Sequence, residues 1–263
     1  MQYHGDRKIF SNDAIKRELF ETGDEGMIIC GMQKTTLLDF PGHVAATLFT
    51  GGCNFRCPFC HNGELVTACE EEIHSMQIPQ EEIMEFLRKR RTVLEGVCIT
   101  GGEPTLQKDL RPFIEEVRGL GYLIKLDTNG YRPEVLEELM EAELLDYVAM
   151  DIKASRDRYA LAAGRKHLDL ANIERSISIL KGQSRIPYEF RTTVVKGLHD
   201  PEEFEEIGKW LAGDCTLYLQ SFRESSSILD PDQDFCAFSA KELEKMAERA
   251  RKSIAIVKVR GVE

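Results

Sequence analysis

The chain has 263 residues, of which 42% are hydrophobic and 30% charged, which is enough apolar material for one large domain or two small ones. Its formal net charge of −11 argues against an extended contact with nucleic acid or with an anionic membrane surface. No apolar run approaches the roughly 18 residues of a membrane-spanning helix, and the first residues lack the apolar core of a signal peptide. These features predict a cytoplasmic protein with reduced cysteines and with neither a nucleic-acid nor a membrane partner.

The beginning of the chain differs in character from the rest. Residues 1–27 are polar and end in Gly23-Asp-Glu-Gly26, a pattern typical of a turn or hinge. We therefore predict a solvated N-terminal extension over residues 1–27 and a folded domain over residues 28–263.

Apolar segments of strand type alternate with helical segments in that domain. Residues 44–49 form a continuous apolar run of the kind that is buried on both faces of a parallel sheet. Further strands are predicted at 94–100, 123–126, 147–150, 188–195, 216–219 and 253–259. Helices are predicted between them at 80–91, 110–118, 133–144, 172–181, 201–211 and 240–252. This alternation predicts βαβ units, and right-handed crossovers curl about six of them into a barrel or partial barrel.

Three cysteines follow the first of these strands. Cys53, Cys57 and Cys60 have the spacing C-x3-C-x2-C, and thiolates at this density are soft ligands suited to an iron–sulfur cluster or to zinc. A cubane cluster normally takes four thiolates, so three would leave one iron open. An open metal position is where chemistry occurs, as at three-ligand catalytic zinc sites. The remaining cysteines are scattered, and no second cluster is expected.

Three other interpretations of the cysteine loop are weaker. Cys57-Pro-Phe-Cys60-His61 also matches the C-x-x-C-H attachment site of c-type haem, but that haem is attached outside the cytoplasm. A zinc site needs a fourth ligand, and His61 is too close along the chain to complete a tetrahedron comfortably. A disulfide framework is typical of small secreted proteins. The spacing therefore favours a cluster.

Polar residues also follow the next three predicted strands. Gly101-Gly-Glu103 follows the second strand, Asp127-Thr-Asn-Gly130 the third and Asp151-Ile-Lys153 the fourth. Taken singly, such residues are ordinary in turns. Because the carboxyl ends of the strands carry the active site in barrels of this type, we predict that the four loops converge over one mouth.

Each of these groups has a physical use at a ligand site. Two glycines at 101 and 102 let the backbone approach a ligand closely, and Glu103 is the nearest acid for an ammonium group. Arg191 lies in an otherwise half-apolar strand and needs an acidic partner. That partner is either a ligand carboxylate in a bidentate contact or an internal acid such as Glu189.

Two aspartates raise a separate question of charge. Asp127 and Asp151 are expected to face each other across adjacent strand ends. Because close carboxylates repel each other, a cation or Lys153 is predicted to lie between them.

The motifs together resemble those of the radical S-adenosylmethionine (SAM) superfamily. The resemblance rests on the cysteine run with Phe59 before its third cysteine, followed by Gly101-Gly-Glu-Pro104. With Leu38-Asp-Phe-Pro-Gly42, Asp127-Thr-Asn-Gly130 and Met150-Asp-Ile-Lys153, the chain is most similar to glycyl-radical-enzyme activating proteins, in particular those of anaerobic ribonucleoside-triphosphate reductase. The likeness covers roughly residues 30–225.

One departure from related activators narrows the resemblance. Gln220-Ser-Phe-Arg223 stands after the sixth strand, where some relatives carry a histidine. This difference weakens an assignment to the pyruvate formate-lyase activators.

The resemblance implies a fold, cofactors and a set of site residues. The fold is a partial (β/α)6 barrel of the TIM type, and the cofactors are one [4Fe–4S] cluster, SAM and a monovalent cation near SAM. By likeness, the three cysteines hold the cluster, the Gly101–Glu103 loop takes the SAM amino group and Arg191 contacts its carboxylate. Asp127 and Asp151 hold the cation with Lys153 beside them. The residues implied for cofactor binding are Phe59, Gly101, Gly102, Glu103, Asp127, Asn129, Asp151, Lys153 and Arg191.

The resemblance also implies a reaction. A flavodoxin- or ferredoxin-like reductant supplies one electron, SAM is cleaved to methionine and a 5′-deoxyadenosyl radical, and this radical removes hydrogen from a glycine of a partner glycyl-radical enzyme. Two alternatives stay open: a radical SAM enzyme that acts on a small molecule or a peptide, and an iron–sulfur electron carrier. A wide lateral cleft would favour a protein substrate, whereas SAM binding would separate either enzyme from a carrier.

Overall fold

The computed structural model describes residues 26–225 and 227–262. An N-terminal extension was predicted over residues 1–27, and residues 1–25 of it lie outside the described residues. The boundary between an extension and a folded domain stays a prediction.

A sheet of eight strands forms the centre of the described chain, in the order β1 to β8. Its strands are β1 (Ile29–Thr36), β2 (Ala45–Thr50), β3 (Gly96–Gly101), β4 (Leu123–Thr128), β5 (Tyr147–Asp151), β6 (Tyr188–Val194), β7 (Gly213–Ser221) and β8 (Ile254–Arg260). Strand β1 pairs antiparallel with β2, and every later neighbour is parallel. Within the described residues β1 and β8 do not pair, so the sheet is a partial TIM-type barrel with one open side.

Helices connect the parallel strands. Those of the described chain are α1 (Gly63–Thr67), α2 (Glu70–Met76), α3 (Gln80–Arg90), α4 (Leu110–Gly119), α5 (Pro133–Glu141), α6 (Tyr159–Ala162), α7 (Leu170–Lys181), α8 (Glu203–Leu211) and α9 (Ala240–Ala250). The longer ones are amphipathic. In α4, for example, Phe113, Ile114 and Val117 are buried against the sheet, whereas the intervening Glu115 and Glu116 are exposed. No helix among residues 26–225 and 227–262 is long and apolar enough to cross a membrane.

The predicted partial barrel of parallel strands is confirmed, with one correction to its detail. The parallel part contains the seven predicted strands, β2 to β8. Strand β1 was not predicted at all. A turn at Pro41-Gly42, in which His43 N donates to Phe40 O at 3.1 Å, reverses the chain, so that β1 and β2 form a hairpin. The Leu38–Gly42 motif therefore lies at the amino end of β2.

The two faces of the central strands differ in chemistry. Val148 and Phe190 are fully buried in the apolar core against the helices. At alternating positions, β4 to β6 direct charged side chains to the inside of the barrel, because successive residues of a strand point to opposite faces. These inward charged residues are Lys125, Asp127, Asp151, Glu189 and Arg191. The barrel interior is therefore polar at the place where the strands end.

Candidate active site

A cavity of about 200 Å³ opens at the carboxyl ends of the parallel strands. Every residue that the sequence predicted for the site lines it, although the five segments that carry these residues are far apart in the chain. Those twelve residues are Cys53, Cys57, Phe59, Cys60, Gly101, Gly102, Glu103, Asp127, Asn129, Asp151, Lys153 and Arg191. Their individual roles stay predictions.

Backbone contacts hold the cysteine loop in position. Phe55 N donates to Cys53 Sγ at 3.4 Å, and Cys60 N donates to Cys57 O at 3.0 Å, which closes a tight turn. Arg56 N donates to Ala163 O at 2.9 Å and so ties the loop to the segment after α6. All three cysteines are free thiols.

The thiols sit in an environment that opposes ionisation in the absence of a metal. Burial raises the pKa of Cys57 to about 12. Burial, together with the nearby charge of Glu103, raises the pKa of Cys53 well above its ordinary value. A metal or cluster bound at this loop would therefore have to displace these protons, and its bonds to sulfur would have to offset that cost.

The donor set fits an iron–sulfur cluster better than a single ion. No three His, Cys, Asp or Glu side chains of the described chain lie close enough together to hold one metal ion. In a [4Fe–4S] cluster, each thiolate binds a different iron, so the ligands stand wider apart than those of one ion. Three free thiols that face one cavity are soft donors of the kind that such a cluster takes.

The Gly101–Glu103 loop packs directly against the start of the cysteine loop. Gly102 N donates to Thr50 O, and Glu103 N donates to Gly52 O, both at 2.8 Å. A Cβ atom on Gly102 would lie only 1.9 Å from Gly52 O, and Gly101 has a φ of +115°, which favours glycine. The glycines are thus required for the approach of two loops, a reason that the sequence did not reveal.

Glu103 connects this loop to the next one. Its side chain is 1% exposed and accepts hydrogen bonds from Thr105 N at 3.1 Å, Thr128 Oγ1 at 2.7 Å and Asn129 N at 2.7 Å. Asn129 Nδ2 in turn donates to Asn54 Oδ1 at 2.8 Å. Thr128 and Asn54 were not predicted as site residues. Thr128 links the Asp127–Gly130 loop to the Gly101–Glu103 loop, and Asn54 links it to the cysteine loop.

Five charged side chains lie in one line across β4, β5 and β6. They are Lys125, Asp127, Arg191, Asp151 and Lys153, and we call them the charge chain. Arg191 Nη1 donates to Asp127 Oδ2 at 2.9 Å, and its Nε donates to Asp151 Oδ1 at 2.8 Å. Lys153 Nζ binds Asp151 Oδ2 at 2.9 Å, and Lys125 Nζ binds Asp127 Oδ1. The five charges therefore alternate in sign along the line.

This arrangement corrects the prediction about the two aspartates. They do face one site, but Arg191 lies between them, and Lys153 binds the outer oxygen of Asp151. Arg191 is thus paired internally, with these aspartates and not with Glu189, which instead accepts from Tyr147 Oη at 2.8 Å. Burial alone would raise the pKa of both aspartates, but the charge of Arg191, together with Lys125 or Lys153, holds each pKa below its usual range.

His199 is a neighbour of the site that no sequence motif marks. Its Nδ1 accepts from Val195 N at 3.0 Å, so its Nε2 carries the proton that is donated to Lys153 O at 2.8 Å. The ring is 3% exposed, and burial lowers its pKa, which favours the neutral form. It also packs edge-on against Phe59, with ring centroids 6.3 Å apart. His199 therefore connects the loop after β6 to the loop after β5 and to the cysteine loop.

Comparison with known protein families gives a match over most of the chain. The model described as the Radical SAM superfamily matches residues 47–211. A Methanocaldococcus jannaschii protein with the provisional name glycyl-radical enzyme activating enzyme is 31% identical over 242 residues, which cover 89% of this chain and 96% of that protein. A second protein of the same organism and provisional name is 28% identical and covers 72% of each chain. A Thermococcus kodakarensis protein with the provisional name GTP 3′,8-cyclase is 29% identical over 60% of this chain and 50% of its own length.

Solved structures resemble the chain at lower identity. The structure of TYW1 with a lysine-pyruvate adduct has a TM-score of 0.51 at 19% identity and covers 79% of this chain and 73% of that one. SuiB of Streptococcus suis bound to S-adenosylmethionine has a TM-score of 0.56 at 14% identity and covers 80% of this chain and 48% of that one. At these identities the likeness concerns the fold alone.

Proposed function

The chain belongs to the radical SAM superfamily, and we propose that it activates a glycyl-radical enzyme, with an anaerobic ribonucleoside-triphosphate reductase as its protein substrate. The observation that carries the proposal is a 31% identical relative that bears the name of such an activating enzyme and is matched over 96% of its length. The motifs that resemble the reductase activators support the choice of partner.

Membership in the superfamily implies a [4Fe–4S] cluster and SAM. In our proposal Cys53, Cys57 and Cys60 hold the cluster. The Gly101–Glu103 loop and Asn129 take the amino group of SAM, and Arg191 with Lys153 faces its carboxylate. The charge chain has three cationic and two anionic side chains, so its net charge of +1 complements a carboxylate in the cavity.

The residues of the chain hold and shield the reacting groups. When bound, the cofactors supply one-electron cleavage of a carbon–sulfur bond of SAM and removal of a hydrogen atom from the substrate, with the electron drawn from a flavodoxin- or ferredoxin-like protein. Phe55 and Phe59, which are 2% and 5% exposed, exclude water from the cysteine loop. The hydrogen bonds of Glu103 and Asn129 keep three loops in a fixed arrangement before any ligand binds.

The open side of the barrel supports a protein substrate. Strands β1 and β8 are the unpaired ends of the described sheet, so access to the cavity is not confined to the mouth of a closed barrel. A glycine within a loop of another protein needs such access. The alternative, an enzyme that acts on a small molecule, is favoured by the relatives named GTP 3′,8-cyclase, but only about half of their length is matched.

The experiment that tests this function begins with anaerobic reconstitution and reduction by dithionite. We expect SAM to change the electron paramagnetic resonance spectrum of the cluster, 5′-deoxyadenosine to form, and a glycyl radical to appear when the reductase is added. Cleavage of SAM without a radical on the reductase would retain the radical enzyme but reject this partner. A cluster that neither responds to SAM nor cleaves it would favour the electron carrier.

His199 is expected to position the site without contacting SAM. The variant His199→Gln keeps a side-chain N–H that can donate to Lys153 O, as Nε2 does in the wild type. The variant His199→Asn keeps only an oxygen that can accept from Val195 N, as Nδ1 does. Because a hydrogen bond of this kind contributes about 1 kcal/mol, we expect the asparagine variant to bind SAM about fivefold more weakly and the glutamine variant to stay near the wild type. Equilibrium SAM binding and thermal unfolding of both variants measure this. An equal loss in both would indicate that the ring acts through packing alone.

A further inference from the structure

Every oxygen of the two aspartates already binds a cationic side chain. A monovalent ion at this point of the fold would need carboxylate oxygens as ligands, because hard cations take oxygen donors. Each of the four carboxylate oxygens instead binds one side-chain nitrogen: Lys125 and Arg191 hold Asp127, and Arg191 and Lys153 hold Asp151. The residues present therefore do not fit the monovalent cation that the resemblance implied.

Lys125 is the one residue of the charge chain that was not predicted as a site residue. It lies two residues before Asp127 on β4, so both side chains point to the same face of the strand. Its side chain is 2% exposed, and its other polar neighbour is Cys98 Sγ at 3.7 Å. Burying an ammonium group is costly unless it is paired. The pairing with Asp127 therefore accounts for a lysine at this depth.

The net charge of the charge chain is already suited to an anionic ligand. Three cations and two carboxylates leave one net positive charge, and Asp151, Lys153 and Arg191 line the cavity. An additional metal ion would raise that charge to +2 and would have to share carboxylate oxygens that already bind side-chain nitrogens. Neither change is favourable in a site of low dielectric constant.

We propose that Lys125 takes the place of a monovalent cation, so that this chain binds SAM without needing K⁺ or Na⁺. The part of this inference that concerns SAM rests on the function proposed above. The part that concerns the cation site rests on the charge chain alone.

The first test compares salts on the wild-type protein. SAM affinity of the reconstituted protein is measured in KCl, NaCl and choline chloride at about 0.1 M each, so that screening is equal. We expect the three dissociation constants to agree within about twofold, a difference of less than 0.5 kcal/mol. An affinity about tenfold or more higher in K⁺ or Na⁺ than in choline would overturn the proposal.

The second test removes the charge of Lys125, so that SAM binding should come to depend on K⁺ or Na⁺. Lys125→Met keeps most of the side-chain volume and removes the charge, which frees one oxygen of Asp127. We expect SAM affinity of this variant in choline chloride to fall about tenfold or more, and KCl or NaCl to restore most of it. Lys34→Met, at an exposed position of β1, is the matched control and should show no salt specificity. A salt-independent Lys125→Met variant with wild-type affinity would contradict the role of Lys125.

Thermal unfolding gives a measurement that does not depend on SAM. Because an ion that binds only the folded state stabilises it, KCl should raise the unfolding midpoint of Lys125→Met above its value in choline chloride, and should not do so for the wild type. K⁺-specific stabilisation of the wild type would overturn the proposal even if the variant failed to fold. Failure to bind SAM in any salt would reject the proposed function, while this measurement would still decide the cation site.

Discussion

Replacing Cys57 with alanine is expected to abolish SAM cleavage and to leave the barrel folded. The substitution removes one of the three thiols that we propose as cluster ligands, from a loop that lies outside the strands, so the cluster would lose a protein bond while the sheet keeps its pairing. Iron and sulfide content after reconstitution, the electron paramagnetic resonance spectrum and the yield of 5′-deoxyadenosine measure the first effect. Circular dichroism measures the second.

Cys69→Ala is the matched control for this experiment. Cys69 is an exposed free thiol that precedes α2 and does not line the cavity. The control is expected to retain both the cluster and the yield of 5′-deoxyadenosine. If Cys57→Ala cleaved SAM as well as Cys69→Ala does, the assignment of the cluster to this loop would be wrong.

Replacing Arg191 with methionine is expected to weaken both the fold and SAM binding. Arg191 bridges two carboxylates, and removing one partner of a buried ion pair typically costs about 3–5 kcal/mol. We expect the lower end, about 3 kcal/mol in the free energy of unfolding, because Lys125 and Lys153 still pair with the aspartates. SAM affinity should fall about a hundredfold, because the variant also lacks the guanidinium that we propose for the SAM carboxylate.

The pH dependence identifies the cause of that loss. Arg191 helps to lower the pKa of Asp127 and Asp151 in the folded state. Its stabilisation is therefore fully present above the unfolded-state pKa of about 3.9 and is lost as the pH falls from there through the lowered folded-state pKa values. The difference in unfolding free energy between wild type and variant should be constant above pH about 5 and shrink below pH about 4. A constant difference down to pH about 3 would point to lost packing instead. Arg185→Met, at an exposed pair with Glu143, is the control and should leave stability unchanged.

The extent of sequence prediction follows the strength of the local signals. The seven parallel strands and the six longer helices lie at or near their predicted positions, because each carries an apolar run or a stripe that spans several residues. Helices α1, α2 and α6, which have five, seven and four residues, are too short to show a period. Strand β1 lies at the sheet edge and has no clean alternation of buried and exposed residues, so its antiparallel pairing was missed.

Contacts between loops that are distant in the chain could not be predicted from local sequence patterns. In the sequence, Lys125 is a single polar residue within an otherwise apolar predicted strand. Its position two residues before Asp127 was a usable signal, because such residues share a face, but the contact of Asp127 with Arg191 depends on where β6 lies. His199 belongs to no motif, and only the packing of the loop after β6 brings it to Lys153 O.

The sequence by itself determined the class of fold, the three cysteines and the set of residues at the strand ends. Those features depend on spacing and periodicity, and in a parallel barrel the carboxyl ends of the strands meet at one mouth whatever the helices contain. Only the tertiary structure decided how these residues pair. The order of charges from Lys125 to Lys153 depends on the register of three strands, in which Asp151 lies beside Arg191 and Lys125 beside Tyr147. A shift of one residue would turn these side chains to the opposite face, because side chains alternate along a strand.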